Sequence, residues 1–276
     1  MNIFYRRLKS ASEGLRPQSR SATSTIEGLA VAERLCGRGT RLLNAAFNRR
    51  ELASLTLLSL VALVALPLSA QVTPPAKSLF DGKTLTNWKS TPFGDEGKVR
   101  VTDGMIVLEK GDEMTGVTWS GDTAVLPKLN YEISLQAQRI DGNDFFCGLT
   151  FPVIDDPCSF IVGGWGGGVV GISSLDGKDA ARNETARLMS FENKRWYKLR
   201  VRVSERGITA WIDDKQVVGV KTEGRKIGIR SEVEASRPLG IACYNTIAGI
   251  KDIQIRNLTP DEAKASINPP PVPKPK

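Results

Sequence analysis

From Lys98 to Asn257 the chain breaks into short apolar runs, each closed by a turn signal. Asn130–Ile140 alternates strictly, with Tyr131, Ile133, Leu135 and Ala137 on one face. Arg195–Ser204 does the same, setting Tyr197, Leu199, Val201 and Val203 against Trp196, Lys198, Arg200 and Arg202. A period of two is that of a strand with one buried face. The punctuation between runs is that of tight turns: Asp103-Gly104, Asp141-Gly142-Asn143, Glu205-Arg206-Gly207 and Asp213-Asp214-Lys215. Further strands are expected over Lys98–Thr102, Met105–Glu109, Gly116–Ser120, Phe145–Phe151, Phe160–Val162, Val169–Ile172, Ile208–Ile212, Gln216–Val220, Lys226–Arg230, Leu239–Asn245 and Ile250–Asn257. Strands recurring about every ten residues, with no long helical pattern between them, predict an all-β antiparallel sandwich or barrel. Two short helices are expected, one near Asp179–Arg187 and one over Pro260–Ser266 with Thr259 as its cap.

The remaining segments differ in character. Residues 1–48 are rich in Arg, Ser and Ala without apolar periodicity, and read as a disordered extension, or as a gene start placed too early. Arg49-Arg50, the Leu/Val/Ala run Leu52–Leu66 and Pro67-Leu68-Ser69-Ala70 have the parts of an export signal over 49–70, cut after Ala70. The alternative is an uncleaved inner-membrane anchor over 52–68, although a span needs about 20 apolar residues. Residues 71–76 are a Pro-containing linker, 77–259 one β domain, and 260–276 a tail whose Pro-rich end is expected to be disordered. Export to the periplasm or the cell exterior is the expected localisation.

The formal charge of +8 is misleading about partners. Ten Lys/Arg and four Asp/Glu stand in residues 1–70, which leaves 28 basic and 26 acidic side chains for the rest. A basic nucleic-acid surface is therefore not expected. The chain has no histidine. That removes Ser-His-Asp chemistry and imidazole acid–base catalysis, so any general base is a carboxylate, lysine, tyrosine or cysteine. No Cys spacing suggests zinc and no loop has a calcium spacing, although Asp and backbone oxygens would allow calcium. No cofactor is expected. The sequence is silent on oligomeric state.

Within Cys158–Glu192, Trp165 stands among Gly163, Gly164, Gly166, Gly167 and Gly168. Glycines beside strands mark bends or close approaches to the backbone. The indole is either a flat surface on which a sugar stacks or a core residue folded back from the turn. The polar run after it, with Asp176, Asn183, Glu184 and Arg187, supplies the hydrogen-bonding groups a carbohydrate or glycoside ligand needs. Trp119 is either core or cleft wall, while Trp88, Trp196 and Trp211 occupy structural positions. Cys147 and Cys158 flank the Pro152–Pro157 turn and are either a disulfide across a hairpin or two small buried side chains.

Ser78-Leu79-Phe80-Asp81-Gly82-Lys83-Thr84-Leu85, followed by Trp88, resembles the opening motif of the 3-keto-disaccharide hydrolase domain family. Further similarities follow in order: Val101–Ile106, Tyr131-Glu132-Ile133, Asp141-Gly142-Asn143, Trp196-Tyr197, Trp211-Ile212-Asp213-Asp214 and Ile253–Leu258. The resemblance spans about Lys77–Leu258 and is most specific at its opening. It implies a two-sheet jelly roll of the concanavalin A or laminin-G kind, export, and hydrolase or lyase action on 3-keto-glycosides. In that chemistry a ketone at C3 acidifies the C2 proton, a base removes it, and the C1 substituent leaves. Such a site needs a positioned base and a group that holds enolate charge. Without histidine, a carboxylate whose pKa burial has raised is the natural base. Glu184 is the first candidate and Asp144 the second; the alternative for each is a solvated turn carboxylate. Arg187 and Arg139 are the candidates for holding oxyanion charge, the alternative being surface ion pairs. The family's polar "Ile-Phe-Leu-Arg" and "Tyr-Glu-x-Gln" strands are replaced here by Leu149-Thr150-Phe151 and Ser159-Phe160-Ile161-Val162. That departure leaves two other readings open, a non-catalytic sugar-binding module and a structural or adhesive envelope protein.

Overall fold

Among residues 73–270, which the computed structural model describes, fifteen strands form where the sequence alternates or runs apolar. In chain order they are β1 (Lys77–Ser78), β2 (Trp88–Ser90), β3 (Val99–Thr102), β4 (Met105–Leu108), β5 (Met114–Trp119), β6 (Tyr131–Gly142), β7 (Cys147–Val153) and β8 (Asp156–Gly163). Then follow β9 (Val169–Ser173), β10 (Arg187–Leu188), β11 (Tyr197–Ser204), β12 (Gly207–Ile212), β13 (Lys215–Lys221), β14 (Gly240–Tyr244) and β15 (Thr246–Asn257). They make two antiparallel sheets. The first runs β13-β12-β11-β6-β15-β4-β3, with β1 added to β15, and the second runs β10-β9-β8-β7-β14-β5-β2. This is a two-sheet sandwich of the jelly-roll kind. The expectations for 1–48, 49–70 and the anchor over 52–68 lie outside the described residues. Among the described residues, no helix is long and apolar enough to cross a membrane.

The alternation explains the packing. On the first sheet Tyr131, Ile133, Leu135 and Ala137 of β6 meet Tyr197, Leu199, Val201 and Val203 of β11 in register, all turned inward. On the second, Val117, Leu149, Phe160, Ile172 and Ile241 supply the facing layer of one continuous core. A buried apolar side chain contributes roughly 1.5–3 kcal/mol by leaving water, so this double layer is what holds the sheets together.

The faces turned away from the core differ. On the first sheet, Glu132 is almost wholly buried and accepts from Arg200, Arg202 and Arg256, the last two also reaching Glu262. Glu262 belongs to helix α1 (Pro260–Lys264), which Thr259 caps through a reciprocal capping box, as its sequence predicts. On the second sheet the outer face is paved with small side chains. Thr118, Gly240, Thr150, Ser159 and Ser173 follow one another across five strands. Small residues let loops press onto the sheet: a Cβ on Gly240 would meet Ser236 O at 2.6 Å, and one on Gly171 would meet Ala180 O at 3.0 Å.

Four expectations are corrected. Asp179–Arg187 is a chain of turns rather than a helix, because Asn183 and Thr185 engage the backbone locally in place of helical bonds. Lys226–Arg230 is not a strand; apart from one bridge, Leu175 to Ile227, it has no ladder partner. Cys147 and Cys158 are free, buried thiols. In the β7–β8 hairpin Cys147 faces Val162 and Cys158 faces Phe151, so four residues of strand, about 13 Å, separate them. Finally, the tail is anchored as far as it is described, with Gln216 Nε2 donating to Asn268 O at 2.6 Å and Arg187 Nη2 to Pro270 O at 3.0 Å.

Candidate functional site

The loop from Ser174 to Ala186 leaves β9 and folds back over the outer face of the second sheet. Asn183 holds it in shape. Its buried amide donates to Ile172 O, Lys178 O and Asp179 O, and its carbonyl accepts from the Thr185 N–H and hydroxyl. A second arm, Lys226–Glu232, runs beside the loop, tied by Ser174 and Gly228 exchanging backbone bonds and by Asp176 accepting from Lys226 N. Between loop and arm lies a cavity of about 380 Å³, whose lining includes Ser174, Asp179, Arg182, Lys226, Arg230 and Glu232.

Asp179 lines this cavity and is only 7% exposed. One carboxylate oxygen accepts from Ala181 N at 3.1 Å; the other receives Arg230 Nη1 at 3.3 Å and lies 3.9 Å from Arg182 Nε. Arg230 also bonds Glu232. Burial pushes the Glu232 carboxyl up, but the hydrogen bond and charge of Arg230, the backbone and Ser231 together outweigh it and hold the group below its usual range. Three cations thus face two carboxylates, and a buried acid is fixed between two guanidinium groups at an open wall. Behind it, Ser173 Oγ, at the end of the row of small residues, is buried without a hydrogen-bond partner among the protein groups.

A second cluster surrounds the glycine-rich turn at the opposite end of β9. Gly164–Gly167 close one turn in which Trp165 (φ 51, ψ 51) and Gly166 occupy the left-handed region. Asp144 holds that conformation: its carboxylate accepts from Phe145 N at 2.8 Å and Gly166 N at 3.0 Å. Burial raises the Asp144 pKa, opposed by the backbone N–H bonds from Gly166, Phe145 and Trp165 and by Arg139. Arg139 reaches under the same turn, donating Nη2 to Gly167 O at 3.0 Å with its guanidinium 5.5 Å from the Phe146 ring. Burial lowers its pKa, and its Nε is buried with no protein partner. Trp165 itself is 37% exposed. Beside the turn Phe145 stacks on Tyr244, and Asn245 Nδ2 donates to Asn143 Oδ1.

The residues singled out in the sequence divide accordingly. Asp144, Arg139 and Trp165 come together, and the stacking reading of Trp165 has an accessible ring while the core reading does not. Glu184 lacks the burial that the base reading requires: it lies on the surface, paired with Arg225 Nη1 at 2.6 Å, and that bond lowers its pKa. Asp176 is bound to Lys226 N and to Arg225 Nε, which lower its pKa and give it the role of tying loop to arm. Asn183 is buried as the plug of the loop and offers nothing to a ligand. Arg187 spends its guanidinium on Val217 O and Pro270 O rather than on an oxyanion. Trp119 is core, edge-on to Trp88 at 5.4 Å, its indole N–H on Asp122 O. Sequence reading singled out residues of this loop but not Asp179, Arg182, Arg230 or Glu232. Asp179 and Arg230 stand fifty-one positions apart, and only folding pairs them. Among the described residues no group of three or more His, Cys, Asp or Glu is placed to hold a metal ion.

Comparison with known proteins agrees with this picture at the level of the domain. The family model described as 3-keto-alpha-glucoside-1,2-lyase-like domain matches residues 75–258. No curated protein matches the chain. Among solved structures, a candidate glycosyl hydrolase from Parabacteroides distasonis is 15% identical, with 67% of this chain and 94% of that one covered at a TM-score of 0.42. The carbohydrate-binding module CBM66 of Bacillus subtilis is 12% identical, covering 62% and 96%, with a TM-score of 0.42. The Crh5 transglycosylase in complex with NAG is 13% identical, covering 67% and 85%, with a TM-score of 0.47.

Proposed function

We propose a function from one premise: the chain belongs to the 3-keto-alpha-glucoside-1,2-lyase-like domain family, a carbohydrate-active, glycosyl-hydrolase-like family. The reading is base-assisted cleavage of a 3-keto-glycoside, by an exported protein, in the cavity between loop 174–186 and arm 226–232. Asp179 takes the proton from C2, and the electron pair of that bond passes into the C3 carbonyl as an enolate. Arg230 and Arg182 hold the developing negative charge. The enolate then forms the C1–C2 double bond while the C1–O bond breaks, and Lys226 is the donor available to protonate the departing alcohol. Water added across the double bond returns a free 3-keto sugar. The ketone at C3 acidifies the C2 proton that the carboxylate must remove. The observation that carries the reading is the buried Asp179 carboxylate set between two guanidinium groups at the wall of an open cavity.

The test is turnover. The full chain should release the aglycone from a 3-keto-glucoside and not from its unoxidised parent, and Asp179→Asn should lower the rate at least a hundredfold. Unchanged release by the variant would sink the assignment. A second reading, a lectin-like module, draws support from the accessible ring of Trp165; it predicts sugar binding lost in Trp165→Ala and no release of any aglycone.

A further inference from the structure

A third cysteine of the β domain, Cys243, is like Cys147 and Cys158 a free, buried thiol, and it lies on the strand next to that of Cys147. In β14, Ala242 faces Gly148 of β7 as the last pair of that antiparallel ladder, and Cys243 and Cys147 are the next residues of the two strands. Both side chains point the same way. Cys147 alternates with Leu149 and Phe151, Cys243 with Ile241, and all five lie in the core between the sheets.

The kind of pair they form can be read from the hydrogen bonds of β14, a strand flanked on both sides. Trp119 N donates to Leu239 O, so the odd-numbered residues entering β14 bond toward β5. The even-numbered ones bond toward β7, as Gly240 with Thr150 and Ala242 with Gly148, and just past the cysteines the register slips by one residue, with Tyr244 N donating to Phe145 O. Cys243 therefore turns its own backbone groups to β5, which makes Cys147–Cys243 a non-hydrogen-bonded pair on the β7 side. At such positions opposite Cα atoms stand about 4.5 Å apart and the side chains are at their closest. A disulfide needs Cα atoms about 4.4–6.8 Å apart and Cβ atoms about 3.5–4.5 Å apart, a range this class of pair reaches. The Cys147–Cys158 pairing expected from the hairpin fails the same criterion. As a thiol, Cys243 donates to Thr246 O at 3.2 Å, a contact that bond formation gives up.

We propose that Cys147 and Cys243 are the site of a disulfide, closed across β7 and β14 when the chain folds in an oxidising compartment, with Cys158 left as a free thiol. The reaction is thiol–disulfide exchange. One cysteine thiolate attacks a small-molecule or protein disulfide, the second displaces that partner as a thiol, and two electrons and two protons pass to the oxidant. Closure precedes burial. In the folded domain neither thiol is accessible, and burial pushes Cys243 up to about 12 and Cys147 higher still, so the thiolate needed for exchange is absent.

The experiment refolds the full chain from denaturant with glutathione disulfide and glutathione, and in parallel with excess reductant. Each product is then denatured and alkylated, cut after lysine and arginine and at Asp155 and Asp156, and analysed by mass. The second cut is necessary because Cys147 and Cys158 share one tryptic peptide. The expected result is a linked pair of peptides carrying Cys147 and Cys243, two hydrogen masses lighter than their sum, with Cys158 alkylated. The link should persist in Cys158→Ala and vanish in Cys243→Ala. Alkylation of all three cysteines after oxidative refolding, or a link through Cys158, overturns the proposal. If Cys243→Ala does not fold, Cys243→Ser supplies the same comparison.

Discussion

Glu132 offers the sharpest test of how the outer face of the first sheet is held. Its side chain is 7% exposed and neutralises three guanidinium groups: Arg200 at 3.1 Å, Arg202 at 2.9 Å and Arg256 at 2.8 Å. Glu132→Gln keeps the shape and removes the charge. Arg202 and Arg256 are then left with Glu262, and Arg200 with the exposed Asp214 at 3.9 Å. Removing one partner of a fully buried pair costs about 3–5 kcal/mol. The arginines here are 13–28% exposed, so water recovers part of that loss, and the expected cost is about 2–3 kcal/mol. With a urea m-value of about 2–3 kcal/mol per M for a domain of this size, the midpoint should fall by about 1 M with the slope unchanged. Equilibrium unfolding followed by tryptophan fluorescence reads this directly. A loss below about 0.5 kcal/mol would refute the reasoning, because it would mean the cluster behaves as ordinary surface ion pairs.

Three further outcomes follow from particular residues. The hydrogen bond from Arg256 holds the Glu262 carboxyl at about 2, below its usual 4.5, so its contribution is present above pH 4.5 and lost as the pH falls toward 2. That contribution is at most about 3 kcal/mol, and Glu262→Gln should flatten stability against pH between 2 and 5, as acid titration of unfolding would show. Because Trp165 sits at φ 51, Trp165→Gly should be about 1 kcal/mol more stable than Trp165→Ala in thermal unfolding; equal stability would mean the turn relaxes. Gly207 has φ 144, and a Cβ there would meet Val220 O at 2.1 Å, so Gly207→Ala should cost about 2–4 kcal/mol, and a change within about 0.5 kcal/mol would show that the β12–β13 ladder yields.

The fold was legible because its cause is local. Alternation along β6 and β11 assigns the inward faces, and Asp-Gly and Asp-Asp turns close the hairpins, so each strand carries its own signature. The strand expected over Lys226–Arg230 had the composition of a strand but no ladder to join, which is a tertiary fact. The candidate site was legible as a loop and as a glycine-rich turn, not as a set of residues. Glu184 and Asp179 look alike on paper; their difference is that Arg225 reaches one at the surface and Asn183 folds the other inward. Asp144 and Arg139 stand close in sequence to one turn, whereas the pairing of Asp179 with Arg230 depends on how loop and arm fold together.

The measurement that bears most directly on the central claim is the rate of aglycone release from a 3-keto-glucoside carrying deuterium at C2, set against the unlabelled substrate. Removal of the C2 proton by Asp179 predicts slower release from the deuterated substrate, together with incorporation of solvent deuterium at C2 of the product when the unlabelled sugar is cleaved in heavy water. Equal rates with retention of the C2 hydrogen, or equal cleavage of the unoxidised parent, would contradict the account and point to chemistry at C1 alone.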